Sequence, residues 1–303
     1  MVKTIVLLIA TLMLVPVSIF YFDVPLDGKQ NEVLILLLKT YAITALLCFI
    51  TGEITKNVSQ VDKLWSTIPI LYVWIMAVNG NFDLRLIIMA ILVTVWGVRL
   101  TYNFGRRGGY AWPIWKGEED YRWSVLRSQS FLSKTWAWKL FHLFFICGYQ
   151  MGLILLFCLP MLICYEGIGK PIGIFDILLS LCFLLLVYVE FIADQQQYDF
   201  QTEKYRRINN NIPLGEYSHG FVRTGLWSKV RHPNYAAEQA IWIVFYFFSI
   251  IATGRWVNWT IAGPVLLMLL FLGSSDFSEK ISSEKYPEYK AYQSKTPRFL
   301  PFL

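Results

Sequence analysis

Apolar residues run in long blocks along this chain, separated by short polar stretches. The blocks fall near 4–22, 33–52, 64–80, 84–104, 138–165, 172–193, 239–254 and 256–274. A helix needs about 20 apolar residues to cross the hydrocarbon of a bilayer. Lipid offers no partner to backbone N–H and C=O groups, so only helices or closed barrels cross it. The pattern therefore predicts an all-α, polytopic membrane bundle of about eight transmembrane helices. The first block follows Lys3 and has the look of a signal-peptide core. It is long, has no small-residue cleavage site and precedes seven further blocks, so it is expected to stay as an anchor. Only Gly254 and Arg255 separate the last two blocks, which predicts a tight hairpin.

Charge orients this bundle. Lys and Arg concentrate in the loops 105–136 and 195–238 and in the tail from 275. Eight spans with the N-terminus inside put these three segments on one side, with Lys3, Lys56 and Lys63. Cytoplasmic loops carry such an excess of Lys and Arg, so both termini and most of the 27 basic residues are expected in the cytosol. The net charge of +6 then needs no nucleic-acid partner. Composition agrees: 56% of residues are hydrophobic and only 16% charged, against about 25% charged in soluble domains. Trp112, Trp115, Trp123, Trp136 and Trp138 sit at span edges, as interfacial aromatic belts do. The five cysteines lie in apolar stretches without a C-x-x-C pair, so they are expected to pack as small hydrophobes, with no metal site and no disulfide framework. The sequons at Asn57 and Asn258 are expected to be silent, one facing the cytosol and the other too near the membrane.

Ionisable groups at membrane depth are costly and mark candidate functional sites. Three clusters qualify. "VWGVRLTYNFGRRGGY" places Arg99 and Tyr102 on one helix face, followed by Arg106, Arg107 and two glycines. It reads either as a positive stop after a span or as a phosphate-binding turn, since Arg forks bind phosphate in a bidentate way. "VYVEFIADQQQYDFQTEKYRR" repeats Glu190, Asp194, Gln197 and Gln201 at helical spacing. Two carboxylates at i, i+4 repel when both are charged, and either a hydrogen-bonded ligand or a neighbouring Arg resolves the conflict. "TGLWSKVRHPNYAAEQAIW" runs Arg231, His232, Asn234, Tyr235 and Glu238 directly into an apolar span, with Pro233 fixing the corner. A surface loop explains basic residues there but not Asn, Tyr and Glu.

At "GLWSKVRHPNYAAE" the chain resembles the membrane-embedded reductases related to steroid 5α-reductase and the sterol C14 reductases. The wider pattern, "SQVDKLWSTIPILYVW", "WGVRLTYNFGRRGGY", "GEEDYRW" and "EKYPEYKAYQSKTPRFLP", looks like the branch catalogued as domain of unknown function 1295. The resemblance runs from about residue 57 to the C-terminus. It implies a membrane domain over 57–303 behind N-terminal spans over 1–56. Isoprenylcysteine carboxyl methyltransferases and phospholipid methyltransferases share the Arg-His-Pro-x-Tyr corner and bind S-adenosylmethionine there. Asn234 followed by Glu238 is the reductase form; Ala237 stands where those reductases usually have Gly.

The resemblance implies an NADPH-dependent reductase of a C=C bond in a lipophilic enone that enters from the bilayer. Tyr102 matches the tyrosine that polarises the substrate carbonyl, and Asp62 is the nearest acid to support it. Asp194 and Asn234 match nicotinamide, ribose or phosphate contacts. Arg231, Arg106 and Arg107 match pyrophosphate and 2′-phosphate contacts, while Glu190, His232, Tyr235, Glu238 and Glu279 would complete the cofactor set. No G-x-G-x-x-G fingerprint occurs, so a nucleotide binds by a non-Rossmann route. The alternatives are an S-adenosylmethionine-dependent methyltransferase of a lipid or prenylated thiol, and a non-catalytic scaffold or transporter. A transporter would pair polar residues in the middle of several spans, whereas here they crowd one edge.

Overall fold

A computed structural model describes residue 11, residues 14–113 and residues 115–301. Seven helices among these are long and apolar enough to cross a membrane. They are α1 (Gly28–Thr55), α2 (Gln60–Asn79), α3 (Leu84–Gly105), α5 (Thr135–Gly167), α6 (Ile174–Asn209), α7 (Pro233–Thr253) and α8 (Trp259–Lys285). Two short helices, α4 (Tyr121–Arg127) and α9 (Tyr289–Lys295), lie outside the spans. No strand occurs among the described residues. The protein is an integral, multi-pass, all-α membrane protein. The second to eighth expected spans each have their helix. Residues 14–22 of the first are helical, and its remainder, apart from residue 11, lies outside the described residues.

The helix ends follow from local chemistry. α1 opens on a capping box in which Asp27 and Gln30 satisfy each other's backbone N–H. Asp83 caps α3 by accepting from the Arg85 N–H at 3.0 Å. Pro233 opens α7, where a missing N–H costs nothing. The expected hairpin after α7 is a turn over 254–258. Its Asn258 is buried, donating to Ser249 (2.9 Å) and accepting from the Thr260 N–H (3.2 Å). Cys48, Cys147, Cys158 and Cys164 are buried, and Cys182 is exposed.

The chain packs as two units: Met1–Ser180 with Phe245–Leu266, and Leu181–Val244 with Leu267–Leu303. In the first unit α5 is enclosed, with 89% of its most apolar stretch buried against 17% in α1. α1 therefore offers its surface to lipid, whereas α5 is core. Within α5, residues His142–Gln150 form a π-helix, a wide and rare form often found at functional sites. The ring of His142 lies so close to α1 that a Cβ on Gly52 would come within 2.6 Å of it. In the same unit Arg85 and Asp176, both almost wholly buried, form a two-pronged ion pair at 2.7 and 3.2 Å. The second unit gathers the polar half of α6, the head of α7, the end of α8, and α9 with the tail.

Candidate active site

The second unit brings four of the predicted residues together. α6 carries Glu190 and Asp194 one turn apart on a buried stripe, and α7 carries Asn234 and Glu238 one turn apart beyond Pro233. The Asn234 amide donates to Asp194 Oδ1 at 3.1 Å. Its own oxygen accepts from the Tyr235 N–H at 3.0 Å. Glu238 Oε1 accepts from the Trp242 indole at 3.1 Å. Three buried carboxylates thus lie on one turn of α6 and one turn of α7, and the Asn234–Asp194 bond joins those turns. That amide answers part of the repulsion expected along α6. The Tyr235 ring stacks on His232 (5.2 Å, 13°) and meets Phe271 at 4.6 Å, forming an aromatic shelf at the same corner.

Arg231 and Glu279, expected as separate cofactor contacts, are each other's partner. Arg231 donates from Nε to Glu279 Oε1 at 2.7 Å and from Nη2 to Oε2 at 3.3 Å. Its Nη1 donates to the carbonyls of Gln293 (3.1 Å) and Thr296. Glu279 also holds His232 Nε2 and the Gln293 amide, both at 2.8 Å. Backbone bonds from Arg231 N to Pro297 O (2.8 Å) and from His232 N to Arg298 O (3.1 Å) complete the mooring of the tail. On the other flank, the Trp227 indole donates to Ala193 O at 3.0 Å, and the Leu226 N–H to Gln196 at 2.9 Å. The corner is therefore fixed from both sides, as a site with little reorganisation requires.

The first unit holds Asp62, Tyr102, Arg106 and Arg107. The turn between α1 and α2 is stitched to the loop before α4. Asn57 donates to Gly117 O (3.0 Å), Gln60 to Trp115 O (2.9 Å) and Lys63 to Lys116 O (2.7 Å). The Val58 N–H donates to Glu119, and the Asp120 N–H to Ser59, each at 2.9 Å. Asp62, in the first turn of α2, accepts from the Trp123 indole at 3.1 Å. "SQVDKLW" and "GEEDYRW" are thus two halves of one docked junction. Burial works against ionisation of Asp120, but Arg122, with its charge and hydrogen bonds, and the charge of Arg107 outweigh it. They hold its carboxyl below the usual range.

Tyr102 closes α3 with its side chain 58% exposed, and the Arg106 guanidinium lies 5.4 Å from its ring. Arg106 also donates to Asn103 Oδ1 at 2.7 and 3.0 Å. The glycine pair admits the chain's own groups: a Cβ on Gly109 would lie 2.3 Å from the Phe104 ring, and Gly108, at φ +85°, faces Glu118. Sequence reasoning missed Trp123 and Gln293 as partners of the two predicted acids. Both stood in quoted motifs, but nothing in the local sequence paired them. No group of His, Cys, Asp and Glu able to hold a metal occurs among the described residues.

Comparison with known proteins gives a consistent context. Residues 48–296 match the model of a family described as a protein of unknown function (DUF1295). The uncharacterized protein C594.04c of Schizosaccharomyces pombe is 38% identical over 282 residues, covering 87% of this chain and 80% of that protein. No solved structure matches the chain.

Proposed function

The chain belongs to the DUF1295 family, the steroid 5α-reductase-like branch of membrane proteins, and from that premise we propose that it is a membrane-embedded, NADPH-dependent reductase of a conjugated C=C bond in a lipophilic substrate. One observation carries the reading. The Asn234–Asp194 pair, with Asp194 buried, Asn234 half-buried and Glu190 and Glu238 one turn away, offers an amide and several carboxylate acceptors at the edge of apolar spans. A nicotinamide carboxamide and ribose hydroxyls need such a mixed set of donors and acceptors. The cofactor supplies hydride when bound. Asn234 and Asp194 would hold the carboxamide end, Glu238 and Glu190 would take hydroxyl or amide protons, and the His232–Tyr235 shelf would offer a flat apolar surface. Arg231 and Glu279 act here as positioning residues that moor the tail against this corner.

In this reading Tyr102 donates its hydroxyl hydrogen bond to the substrate carbonyl, the role that family resemblance implies. Hydride addition builds negative charge on that oxygen, and a positioned donor stabilises it. Asp62 docks Trp123 through one carboxylate oxygen, and the role of supporting Tyr102 falls to its other acceptor sites in this reading. A second reading has its own support: buried carboxylates on the turns of α6 and α7 at this corner also suit a cationic ligand, as the sulfonium of S-adenosylmethionine is. Calorimetric titration of the purified full-length protein separates the two. NADPH is expected to bind at micromolar concentration, and Asn234→Ala is expected to abolish that binding. Binding of neither NADPH nor NADH would sink the reductase reading, and micromolar binding of S-adenosylmethionine in their place would establish the other.

A further inference from the structure

Four span ends of the first unit meet at one face. A turn over 56–59 joins the end of α1 to the start of α2, α3 returns to the same side, and the loop 106–134 leads into α5. Bonds from Asn57, Val58, Gln60 and Lys63 strap residues 115–119 of that loop to the turn. The loop is therefore held at the depth where the spans leave the hydrocarbon.

This strapped loop shows rings that a water-facing loop would hide. Trp112 is 88% exposed and Trp136 56%, and Trp115, Tyr121 and Phe131 are exposed as well. Phe131 and Trp136 pack edge to face at 5.7 Å, so they present one aromatic surface. Contiguous exposed apolar surface signals an interaction site, and Trp and Tyr at span ends settle at the headgroup level of a bilayer. A soluble partner reaches these rings only by displacing lipid headgroups around four span ends, so the occupant is lipid.

Charge narrows the kind of lipid. Most carboxylates on this face are already engaged: Glu53 with His142 and Lys139, Glu119 with Arg127 and the Val58 N–H, and Asp120 with Arg122. Glu118 lies against Gly108. Lys56, Lys116 and Lys134 are exposed and have no ion pair among the described residues. The bond from the Asn57 amide to Gly117 O, at 3.0 Å, brings together the chain positions of Lys56 and Lys116, each one residue before a bonded partner. Trp115 adjoins Lys116, and Lys134 stands two positions before Trp136. Each group of free ammoniums thus sits beside an exposed indole. A zwitterionic headgroup brings no net charge to match them, whereas an anionic one does.

We propose that this face of the first unit binds anionic phospholipid headgroups, with Lys56 and Lys116 as one anchor and Lys134, beside the Phe131–Trp136 pair, as a second. The rings set the depth of the loop and are indifferent to headgroup charge; the three lysines make the choice. The site stands apart from the nucleotide corner assigned to the other unit.

The test titrates the full-length protein in detergent with phosphatidylserine and with phosphatidylcholine of the same acyl chains, and counts bound lipids by native mass spectrometry. Wild type is expected to prefer phosphatidylserine about twentyfold, at about fivefold for each lysine of the first anchor. Raising the ionic strength is expected to shrink that ratio. Lys56→Gln with Lys116→Gln, and then Lys134→Gln added, should bring it stepwise toward one, while Lys56→Arg with Lys116→Arg keeps it. Lys29→Gln, at the opposite end of α1, should leave it unchanged. Equal binding of the two lipids by wild type overturns the proposal, as does a preference insensitive to salt or one that survives the triple variant. A loss in Lys29→Gln as large as in the double Gln variant also overturns it, since the effect would then be one of overall charge.

Discussion

Asp120 shows how one side chain fixes a junction. It caps α4, accepts two prongs from Arg122 at 2.9 and 2.8 Å, and gives its N–H to Ser59. Its carboxyl is held below the ordinary range, with burial outweighed by Arg122. A carboxyl whose folded pKa is depressed adds stability above its unfolded pKa, about 3.9, and loses it as pH falls through the folded value. Asp120→Asn should therefore cost on the order of 1 kcal/mol near neutrality. The gap in melting temperature between variant and wild type should close below about pH 4. A gap that persists unchanged at pH 3 would mean that the charge of Asp120 contributes nothing. The Arg231–Glu279 pair follows similar logic with a different result: two residues that each look able to bind a ligand spend their hydrogen bonds on one another and on the tail.

At the scale of elements, the ends of helices carry the specific contacts and their middles carry packing. The Arg85–Asp176 pair ties the start of α3 to the start of α6 where both are nearly inaccessible. Breaking a buried pair from one side leaves an uncompensated charge and costs about 3–5 kcal/mol, while replacing both partners with apolar residues is often close to neutral. Asp176→Ala is thus expected to lower the melting temperature sharply, and Arg85→Met with Asp176→Leu to restore most of the loss. A double variant as unstable as the single would show that the backbone bonds of Arg85 to Gly167 and Pro171 matter more than the ion pair. The expected spans at 33–52 through 256–274 each found a helix because lipid forces backbone hydrogen bonding inside the segment. The π-helical stretch of α5 was invisible to this reasoning, since its residues are as apolar as any α-helical run.

At the scale of the whole molecule, the orientation we propose rests on the distribution of Lys and Arg along the chain. With Cys182 changed to Ser, cysteines placed at Glu216 and Lys290 should react with a membrane-impermeant maleimide in sealed vesicles whose cytosolic face is outward. A cysteine at Lys29 should react only after permeabilisation. The reverse pattern would overturn the orientation and, with it, access of a cytosolic nucleotide to the head of α7.

The sequence by itself determined the number and class of the described spans, because crossing lipid sets both the length and the polarity of a segment. It also marked Glu190, Asp194, Asn234 and Glu238, since polar groups that enter an apolar run stand out without any knowledge of the fold. Only the tertiary structure decided what those groups meet. Asn234 reaches Asp194 across 40 residues, Arg231 reaches Glu279 across 48, and Asp62 reaches Trp123 across 61. Such pairings depend on how helices pack, and helical periodicity fixes a side chain's face but not its neighbour.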